Sequence, residues 1–327
     1  VVFGKDADDP LNCDALILDE CSMVDISLMK SLLRALRHEC RLVLVGDADQ
    51  LPSVGPGNVF ADIIRSEIVP TVRLTEIFRQ NGDSVIVRNA HMINKGEHPN
   101  FEANTGDFFR LKRLQGGTTV DTIVELCARR LPDNMNIPSS QIQVLTPTRK
   151  GETGTVYLNK MLQAALNPHS DDKKEKLFGE TVFREGDRVM QIRNNYDILW
   201  KTKNGQDGLG IFNGDIGTIV SIDISAEVLN IDFDDRIAVY GFDMLNELEH
   251  AWAMTVHKSQ GSEYRAVILA LSSSAQMLLT RGVLYTAVTR AKELLIMVGD
   301  DAVAHKMIDN HKQSRRYSAL RIRLNEE

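Results

Sequence analysis

The sequence lacks several features that would assign its 327 residues to a class of protein at once. No apolar run approaches the ~20 residues of a membrane-spanning helix, so we expect no membrane protein and no membrane partner. The four cysteines are scattered without the paired spacing of a metal site, which predicts reduced thiols in a cytoplasmic protein. The net charge of -7 excludes a generally basic surface for nucleic acid, although a local basic groove remains compatible with it.

Two short apolar runs, 15–18 and 42–45, predict fully buried parallel strands with a helix between them at 27–37. The polar residues that follow the two runs are Asp19, Glu20, Asp47 and Gln50. Because ligands bind beyond the carboxyl ends of strands in open α/β sheets, these side chains predict a nucleotide site. An acidic pair after an apolar strand has the form of a Walker B site, in which one carboxylate holds Mg²⁺ and the other accepts a proton from water. The same pair also occurs as a plain polar strand end.

The pattern of apolar and polar residues changes twice along the sequence, which predicts an insertion into an α/β domain. Between about 183 and 248, short alternating runs are separated by Gly, Asn and Asp turns, as in a small antiparallel barrel. Buried strands are predicted before this segment at 141–146 and after it at 266–271. The expected fold class is therefore α/β. The expected domains are residues 1–102, then residues 103–177 together with 250–327, and the inserted barrel at 178–249.

Two polar stretches late in the chain carry further candidate residues. The segment AMTVHKSQGSEY, residues 253–264, offers hydroxyl, imidazole and amide groups that suit phosphate and sugar contacts on nucleic acid. In YTAVTRAK, residues 285–292, Arg290 stands off the apolar stripe of a predicted helix and is free to approach a γ-phosphate. Each candidate also has a structural interpretation: His257 in a local hydrogen bond, Arg290 on an exposed helix face and Arg79 in a salt bridge.

Together these motifs resemble those of superfamily 1 helicases, most closely the RecD-like branch of the exodeoxyribonuclease V α-subunit type. The acidic pair, GDADQLPSVG, LTEIFRQ, TVHKSQGSEY and YTAVTRAK follow the order and approximate separation of helicase motifs II to VI. QVLTPTRKGETGTVYLN, GDRVMQIRNNYD and IFNGDIGTI are similar to that branch as well, so the resemblance covers nearly the whole chain. It implies two RecA-like P-loop NTPase domains, the first incomplete, with an SH3-like β-barrel inserted in the second.

The resemblance also implies an activity and a set of roles. The activity is ATP-dependent, 5′ to 3′ translocation on single-stranded DNA in recombination or repair, with ATP and Mg²⁺ as cofactors and other repair subunits as further partners. The implied catalytic residues are Glu20, which would activate the water, Gln50, which would sense the γ-phosphate, and Arg79 and Arg290, which would stabilise the transition state. Those near the nucleotide are Asp19, which is also the Mg²⁺ ligand, Asp47, Gly261 and Glu263. Those along the single-stranded DNA are Thr146, Pro147, Thr255, His257 and Ser259.

One expected motif is missing, because no G-x-x-x-x-G-K-[ST] occurs in the 327 residues. In the family this phosphate-binding loop precedes motif II, so we expect a fragment that starts within the first RecA-like domain. We therefore expect the fragment alone to hydrolyse essentially no ATP and, without a clustered carboxylate–lysine site, to cleave no DNA. Two other interpretations stay open: a catalytically silent nucleic-acid-binding module, and the helicase part of a conjugative relaxase.

Overall fold

The structure is a computed structural model that describes residues 3–74, 84–103, 106–272, 276–311 and 318–326. Within these ranges the strands are β1 (Ala15–Leu18), β2 (Arg41–Leu44), β3 (Phe108–Lys112), β4 (Ile142–Thr146), β5 (Glu175–Phe178), β6 (Thr181–Arg184), β7 (Arg188–Gln191), β8 (Asn195–Thr202), β9 (Asp207–Ile211), β10 (Ile216–Asp223), β11 (Val228–Phe233), β12 (Arg236–Gly241), β13 (Leu248–His250), β14 (Ala253–Thr255), β15 (Tyr264–Leu271) and β16 (Ala291–Gly299). The α-helices are α1 (Ile26–Ala35), α2 (Val59–Ser66), α3 (Val85–Lys95), α4 (Gly116–Glu125), α5 (Leu131–Met135), α6 (Thr155–Leu166), α7 (Arg281–Val288), α8 (Asp301–Asp309) and α9 (Leu320–Leu324). None of these helices is both long enough and apolar enough to cross a membrane.

The chain divides into two compact units. The first comprises residues 1–100, 279–289 and 305–327, and the second comprises residues 101–278 and 290–304. Helix α7 therefore belongs to the first unit, although it follows β15 in the chain. Compact units and sequence domains are different divisions of the chain, and the expected domain boundaries stay a prediction.

In the first unit, β1 and β2 form a two-stranded parallel sheet in the expected strand-helix-strand arrangement. The helix between them, α1, begins at Asp25, whose carboxylate caps it by accepting the Leu28 N–H at 2.8 Å. The expectation that this sheet is fully buried is wrong. Ile17 on β1 is 69% exposed and Val43 on β2 is 47% exposed, because few other side chains of the described residues cover the sheet.

In the second unit, five parallel strands form one sheet in the order β14-β4-β15-β16-β3. The expected strands at 141–146 and 266–271 are confirmed as β4 and β15. Apolar residues of α4 and α6, such as Ile123 and Leu158, pack on the sheet in one continuous core. Strands in a parallel sheet are normally covered on both faces, and β14, β4, β15 and β16 are buried along most of their length, whereas the edge strand β3 is mostly half-buried.

Between β4 and β15 the chain makes the expected antiparallel insertion. A hairpin of β5 and β6 precedes a seven-stranded sheet in the order β13-β7-β10-β11-β12-β8-β9, which we call the inserted sheet. Its link to the α/β part is a buried carboxylate, that of Asp187, which has no exposed surface. This carboxylate accepts hydrogen bonds from Gln163 on α6 at 2.6 Å and from Asn167, which directly follows α6, at 2.7 Å, and it lies 3.1 Å from the His250 ring.

Candidate nucleotide and nucleic-acid sites

The candidate nucleotide site lies at the carboxyl ends of β1 and β2 in the first unit. Because the two strands are parallel and in register, Asp19 and Glu20 after β1 lie at the same edge as Asp47 and Gln50 after β2. This edge is where ligands bind in α/β sheets. The structure thus brings four of the predicted residues to one place.

Gly46 allows the loops after the two strands to approach each other. A Cβ atom at this position would lie 3.0 Å from the Cys21 nitrogen and 3.2 Å from the Phe60 ring, which is tighter than ordinary contact. The Cys21 N–H donates a 2.9 Å hydrogen bond to the Val45 carbonyl. A side chain at Gly46 would push the two loops apart. The loop after β1, which carries the acidic pair, would then lie farther from the loop after β2.

The backbone of Glu20 is left-handed, with φ 52° and ψ 39°. This conformation is uncommon for residues other than glycine and costs on the order of 1–3 kcal/mol where the surroundings impose it. Glu20 leads directly into a short 3-10 turn, Cys21–Met23, whose N–H groups bond back to the strand ends. Other described residues, such as Glu67, share this conformation, so it fixes the direction in which Glu20 leaves the strand end and does not by itself assign a role.

Asp19 has the properties of a Mg²⁺ ligand. Its side chain is exposed, and its Oδ1 accepts the Glu20 N–H at 2.8 Å. A hard carboxylate oxygen suits Mg²⁺, which protein sites hold through one or two carboxylates together with substrate phosphates and water. No group of three or more His, Cys, Asp or Glu side chains in the described residues is arranged to hold a metal ion. Asp19 therefore fits an ion that takes most of its ligands from a nucleotide and water.

Hydrogen bonds from α7 hold the loop after β2. The Asp47 Oδ2 accepts the Tyr285 hydroxyl at 2.9 Å and the Gln50 Nε2 at 3.3 Å. The Leu51 N–H donates to the Thr286 hydroxyl at 3.1 Å in a buried contact. The Gln50 Oε1 is buried and accepts no hydrogen bond from the part of the chain that the structure describes. One carboxylate thus joins α7 to Gln50, whose remaining acceptor is unsatisfied among the described residues.

The roles of Tyr285 and Thr286 were not indicated by the sequence alone. Both residues stand in YTAVTRAK, in which the sequence indicates only Arg290 as a candidate site residue. The contact of Tyr285 with Asp47 joins residues 238 positions apart, so no local pattern reveals it. The available signal was a hydroxyl pair within an otherwise apolar helix.

The candidate nucleic-acid site lies at the carboxyl ends of β4 and β14 in the second unit. Thr146 and Thr255 are register partners at the last pair of these strands, so two predicted residues lie side by side. Pro147 follows Thr146 and is buried. The Thr146 side chain has no exposed surface, and its hydroxyl donates to the Thr153 carbonyl at 2.8 Å.

A short 3-10 turn, Val256–Ser259, carries the other predicted residues of this site. Thr255 caps the turn by accepting the Lys258 N–H at 3.4 Å, and the buried Ser259 hydroxyl donates to the Val256 carbonyl at 2.8 Å. His257 is half-buried, and this burial lowers the pKa of its imidazole, which favours the neutral form. The turn therefore presents a neutral imidazole next to the cationic side chain of Lys258.

The structure brings Gly261, Glu263 and Arg290 together around one turn of the second unit. Helix α7 ends at Val288, so Arg290 lies in the connection to β16 and is 3% exposed. Its guanidinium donates to the Ser262 carbonyl at 3.1 Å, whereas the sequence suggested an arginine free on a helix surface. Gly261, with φ 76°, supplies the left-handed conformation of the turn.

Arg79 lies outside the described residues. Residues 71–74, the last described residues before it, form neither helix nor strand. The catalytic, nucleotide-binding and DNA-binding roles of the selected residues stay predictions.

Three family models match successive parts of the chain. An AAA domain model matches residues 8–111, which contain β1, β2 and the acidic pair. The model described as the SH3 domain of the ATP-dependent RecD-like DNA helicase matches residues 158–233, which include much of the inserted sheet. The model of the UvrD-like helicase C-terminal domain matches residues 250–298.

Two curated relatives match nearly the whole chain. The ATP-dependent RecD2 DNA helicase of Deinococcus radiodurans is 32% identical, over 97% of this chain and 40% of the relative. The RecBCD enzyme subunit RecD of Mycolicibacterium smegmatis is 30% identical, over 95% of this chain and 54% of the relative. The chain thus spans about half of these relatives or less.

Solved helicase structures share the fold. The Pif1 helicase from Candida albicans superimposes with a TM-score of 0.54 at 19% identity, over 92% of this chain and 74% of that one. The Pif1 helicase from Bacteroides, in complex with ADP-AlF3 and single-stranded DNA, gives 0.52 at 18% identity, over 90% and 72%. The expected α/β class with an SH3 insertion is confirmed. The chain belongs to the RecD-like family of superfamily 1 helicases.

Proposed function

We propose that these 327 residues are part of an ATP-dependent DNA helicase that moves 5′ to 3′ on single-stranded DNA in recombination or repair. The observation that carries the proposal is the gathering of Asp19, Glu20, Asp47 and Gln50 at one edge of the β1–β2 sheet. Transfer of the γ-phosphoryl group of ATP to water requires a ligand for Mg²⁺, a carboxylate for the water and polar groups around the phosphate. The polarity and the pathway rest on the family resemblance.

Each residue at this edge has a distinct proposed role. Glu20 accepts the proton of the attacking water, and its fixed left-handed backbone sets the direction of its side chain. Asp19 would hold Mg²⁺, which neutralises charge on the phosphates when bound. Asp47 holds the Gln50 side chain in place. Gln50 then accepts a hydrogen bond from the water with its Oε1 or donates one to the γ-phosphate with its Nε2. Arg79 and Arg290 are proposed to stabilise the transferred phosphoryl group.

Single-stranded DNA is proposed to run along the carboxyl ends of β4 and β14. The hydroxyls of Thr146 and Ser259 are buried and bonded within the protein, so we assign them to shaping these strand ends. Thr255 and His257 retain exposed surface for contact with the strand. The relatives named RecBCD subunit RecD make other repair subunits reasonable partners.

Turnover is proposed to need a P-loop, which the 327 residues do not contain. The test compares DNA-stimulated ATP hydrolysis by this chain with that of a longer polypeptide from the same gene that includes a P-loop. We expect turnover only in the longer form, and no DNA cleavage by either. In the longer form, Glu20→Gln should lower turnover about a thousand-fold, since it removes the general base.

Glu67→Gln is the matched control, because Glu67 is an exposed residue of the same unit that also has a left-handed backbone, with φ 61°. It should leave turnover unchanged. Equal losses in Glu20→Gln and Glu67→Gln would contradict the catalytic role. Silence of the longer form, with DNA binding intact, would favour a nucleic-acid-binding module instead.

A further inference from the structure

A carboxylate of the inserted sheet lies between two cations of the proposed DNA track. Arg149 and Lys258 each come three positions after a strand-end threonine, Thr146 and Thr255 respectively. Because these threonines are register partners, both cations follow the same edge of the sheet. Glu249 reaches them from β13, with its Oε1 2.8 Å from the Arg149 guanidinium and its Oε2 2.8 Å from the Lys258 ammonium.

The arrangement imitates the binding of a phosphodiester. A carboxylate and a backbone phosphate each carry one negative charge and two oxygens that accept hydrogen bonds from different donors. Arginine and lysine are the usual partners of nucleic-acid phosphates. The Arg149, Glu249 and Lys258 side chains are 65%, 26% and 35% exposed, so a phosphate from solvent has access to both cations.

The backbone that carries Glu249 is held in place. Glu249 pairs with Met190 on β7, and the next residue, His250, contacts the buried Asp187 carboxylate at 3.1 Å. The Glu249 side chain can therefore leave the two cations only by rotation, while β13 stays in the sheet. The Glu249 carboxylate therefore occupies the space between the two cations, stays attached to the protein, and can be displaced by a phosphate.

We propose that Arg149 and Lys258 form a subsite for a backbone phosphate of single-stranded DNA, and that Glu249 competes for it. The inference rests on the proposed DNA track and adds a residue of the inserted sheet that tunes affinity. Ion pairs as exposed as these are individually weak, so the competition lowers affinity by about three- to tenfold. Salt screens exposed pairs, so the effect is greatest at low ionic strength.

The test uses the 327-residue chain itself, since DNA binding does not require a P-loop. Fluorescence anisotropy with a labelled oligothymidylate at 50 and 200 mM NaCl compares the unchanged chain with Glu249→Gln. We expect the variant to bind about fivefold more tightly at the lower salt, with a smaller gain at the higher salt. Glu293→Gln is the matched control, because Glu293 also pairs with an arginine, Arg265, and its loss changes the net charge equally.

A double-mutant cycle separates competition from a general change of charge. Arg149→Ala should weaken binding, and adding Glu249→Gln to it should give a smaller gain than in the unchanged chain. A gain in Glu249→Gln no larger than in Glu293→Gln would overturn the inference and leave the DNA track standing. Absence of oligonucleotide binding in all variants, with circular dichroism unchanged, would reject the track and the inference with it.

Discussion

The chain holds two parallel sheets of similar apolar composition with very different surroundings. In the five-stranded sheet Ile268 has no exposed surface, whereas Ile17 on β1 and Val43 on β2 are 69% and 47% exposed. Burial of apolar surface is the main favourable term in folding, so the two sheets differ in how much each contributes to its own stability. In the described part of the chain, the β1–β2 sheet packs only Leu18 and Leu44 against a small apolar cluster, and a two-stranded sheet with so little cover is at best marginal.

The loops that follow the two sheets differ in the same way. After β4 and β14, buried strand ends and a capped turn hold Thr146 and Ser259 inside the unit. After β2, the Tyr285 hydroxyl donates to Asp47 and the Thr286 hydroxyl accepts from the Leu51 N–H, and these two hydrogen bonds hold the loop. The proposed DNA track is therefore supported by packing, and the proposed nucleotide site at the carboxyl ends of β1 and β2 is supported mostly by polar contacts with α7, a helix distant in sequence.

Matched substitutions of isoleucine give the largest expected difference. Ile268→Ala should destabilise the second unit by about 3 kcal/mol, because it leaves a cavity in a closed core. Ile17→Ala should cost less than about 0.5 kcal/mol, as for other exposed positions. Hydrogen exchange on peptides from both sheets measures each effect locally. Comparable acceleration of β1–β2 exchange by Ile17→Ala would show that this sheet is covered in solution.

The buried Asp187 carboxylate tests whether the inserted sheet and the five-stranded sheet share their stability. Asp187→Asn should cost about 2 kcal/mol, because an amide nitrogen then faces the donor groups of Gln163 and Asn167. Urea unfolding followed by tryptophan fluorescence reports this unit, since Trp200 and Trp252 both lie in it. The exposed Asp197→Asn is the control and should leave the midpoint unchanged. A biphasic transition in the unchanged chain would contradict shared stability.

Hydrogen bonds support the proposed nucleotide site at the carboxyl ends of β1 and β2. We expect the loss of one of them to have a smaller effect than the substitutions above and to affect catalysis. In the proposed longer form, Tyr285→Phe should lower kcat at least about tenfold, because one hydrogen bond to a charged group contributes about 1.5–3 kcal/mol. The KM for ATP and the affinity for DNA should change little. Tyr157→Phe, at an exposed tyrosine on α6, is the control.

A second variant shows whether Tyr285 acts through Gln50. If Asp47 transmits the effect, Tyr285→Phe should have little further consequence in a Gln50→Ala background. Full additivity of the two losses would mean that the tyrosine supports the fold and does not position the glutamine.

Local patterns in the sequence predicted much of this architecture. The limits of β1 are those expected, because an apolar run is a local signal. The strands β5, β8 and β9 were not individually expected, since their polar and apolar residues do not alternate regularly. The burial of β2 was overestimated, because burial depends on what covers a strand and not on its own composition.

The candidate sites show the same limit. Motif order located Asp19, Glu20, Thr146 and Thr255, and the register of the strands accounts for their grouping. Contacts between remote segments, such as Tyr285 with Asp47 and the pairs of Glu249, have no counterpart in a local pattern. These contacts depend on side-chain placement that only the folded chain provides.

The smallest expected effect concerns His257, a polar and half-buried residue of the proposed DNA track. Because burial lowers the pKa of His257, the folded chain takes up its proton less readily than the unfolded chain, in which histidine titrates near pH 6.5. The unfolded chain then binds more protons below about pH 6.5, so stability present above this pH is lost as the pH falls. His257→Gln should reduce the difference between urea midpoints at pH 7.5 and 5.5, followed by tryptophan fluorescence, whereas the exposed His169→Gln should change it less. An unchanged difference in His257→Gln would show that this imidazole is solvated, and the contrast between a packed DNA track and a polar nucleotide site would then hold only for Thr146 and Ser259.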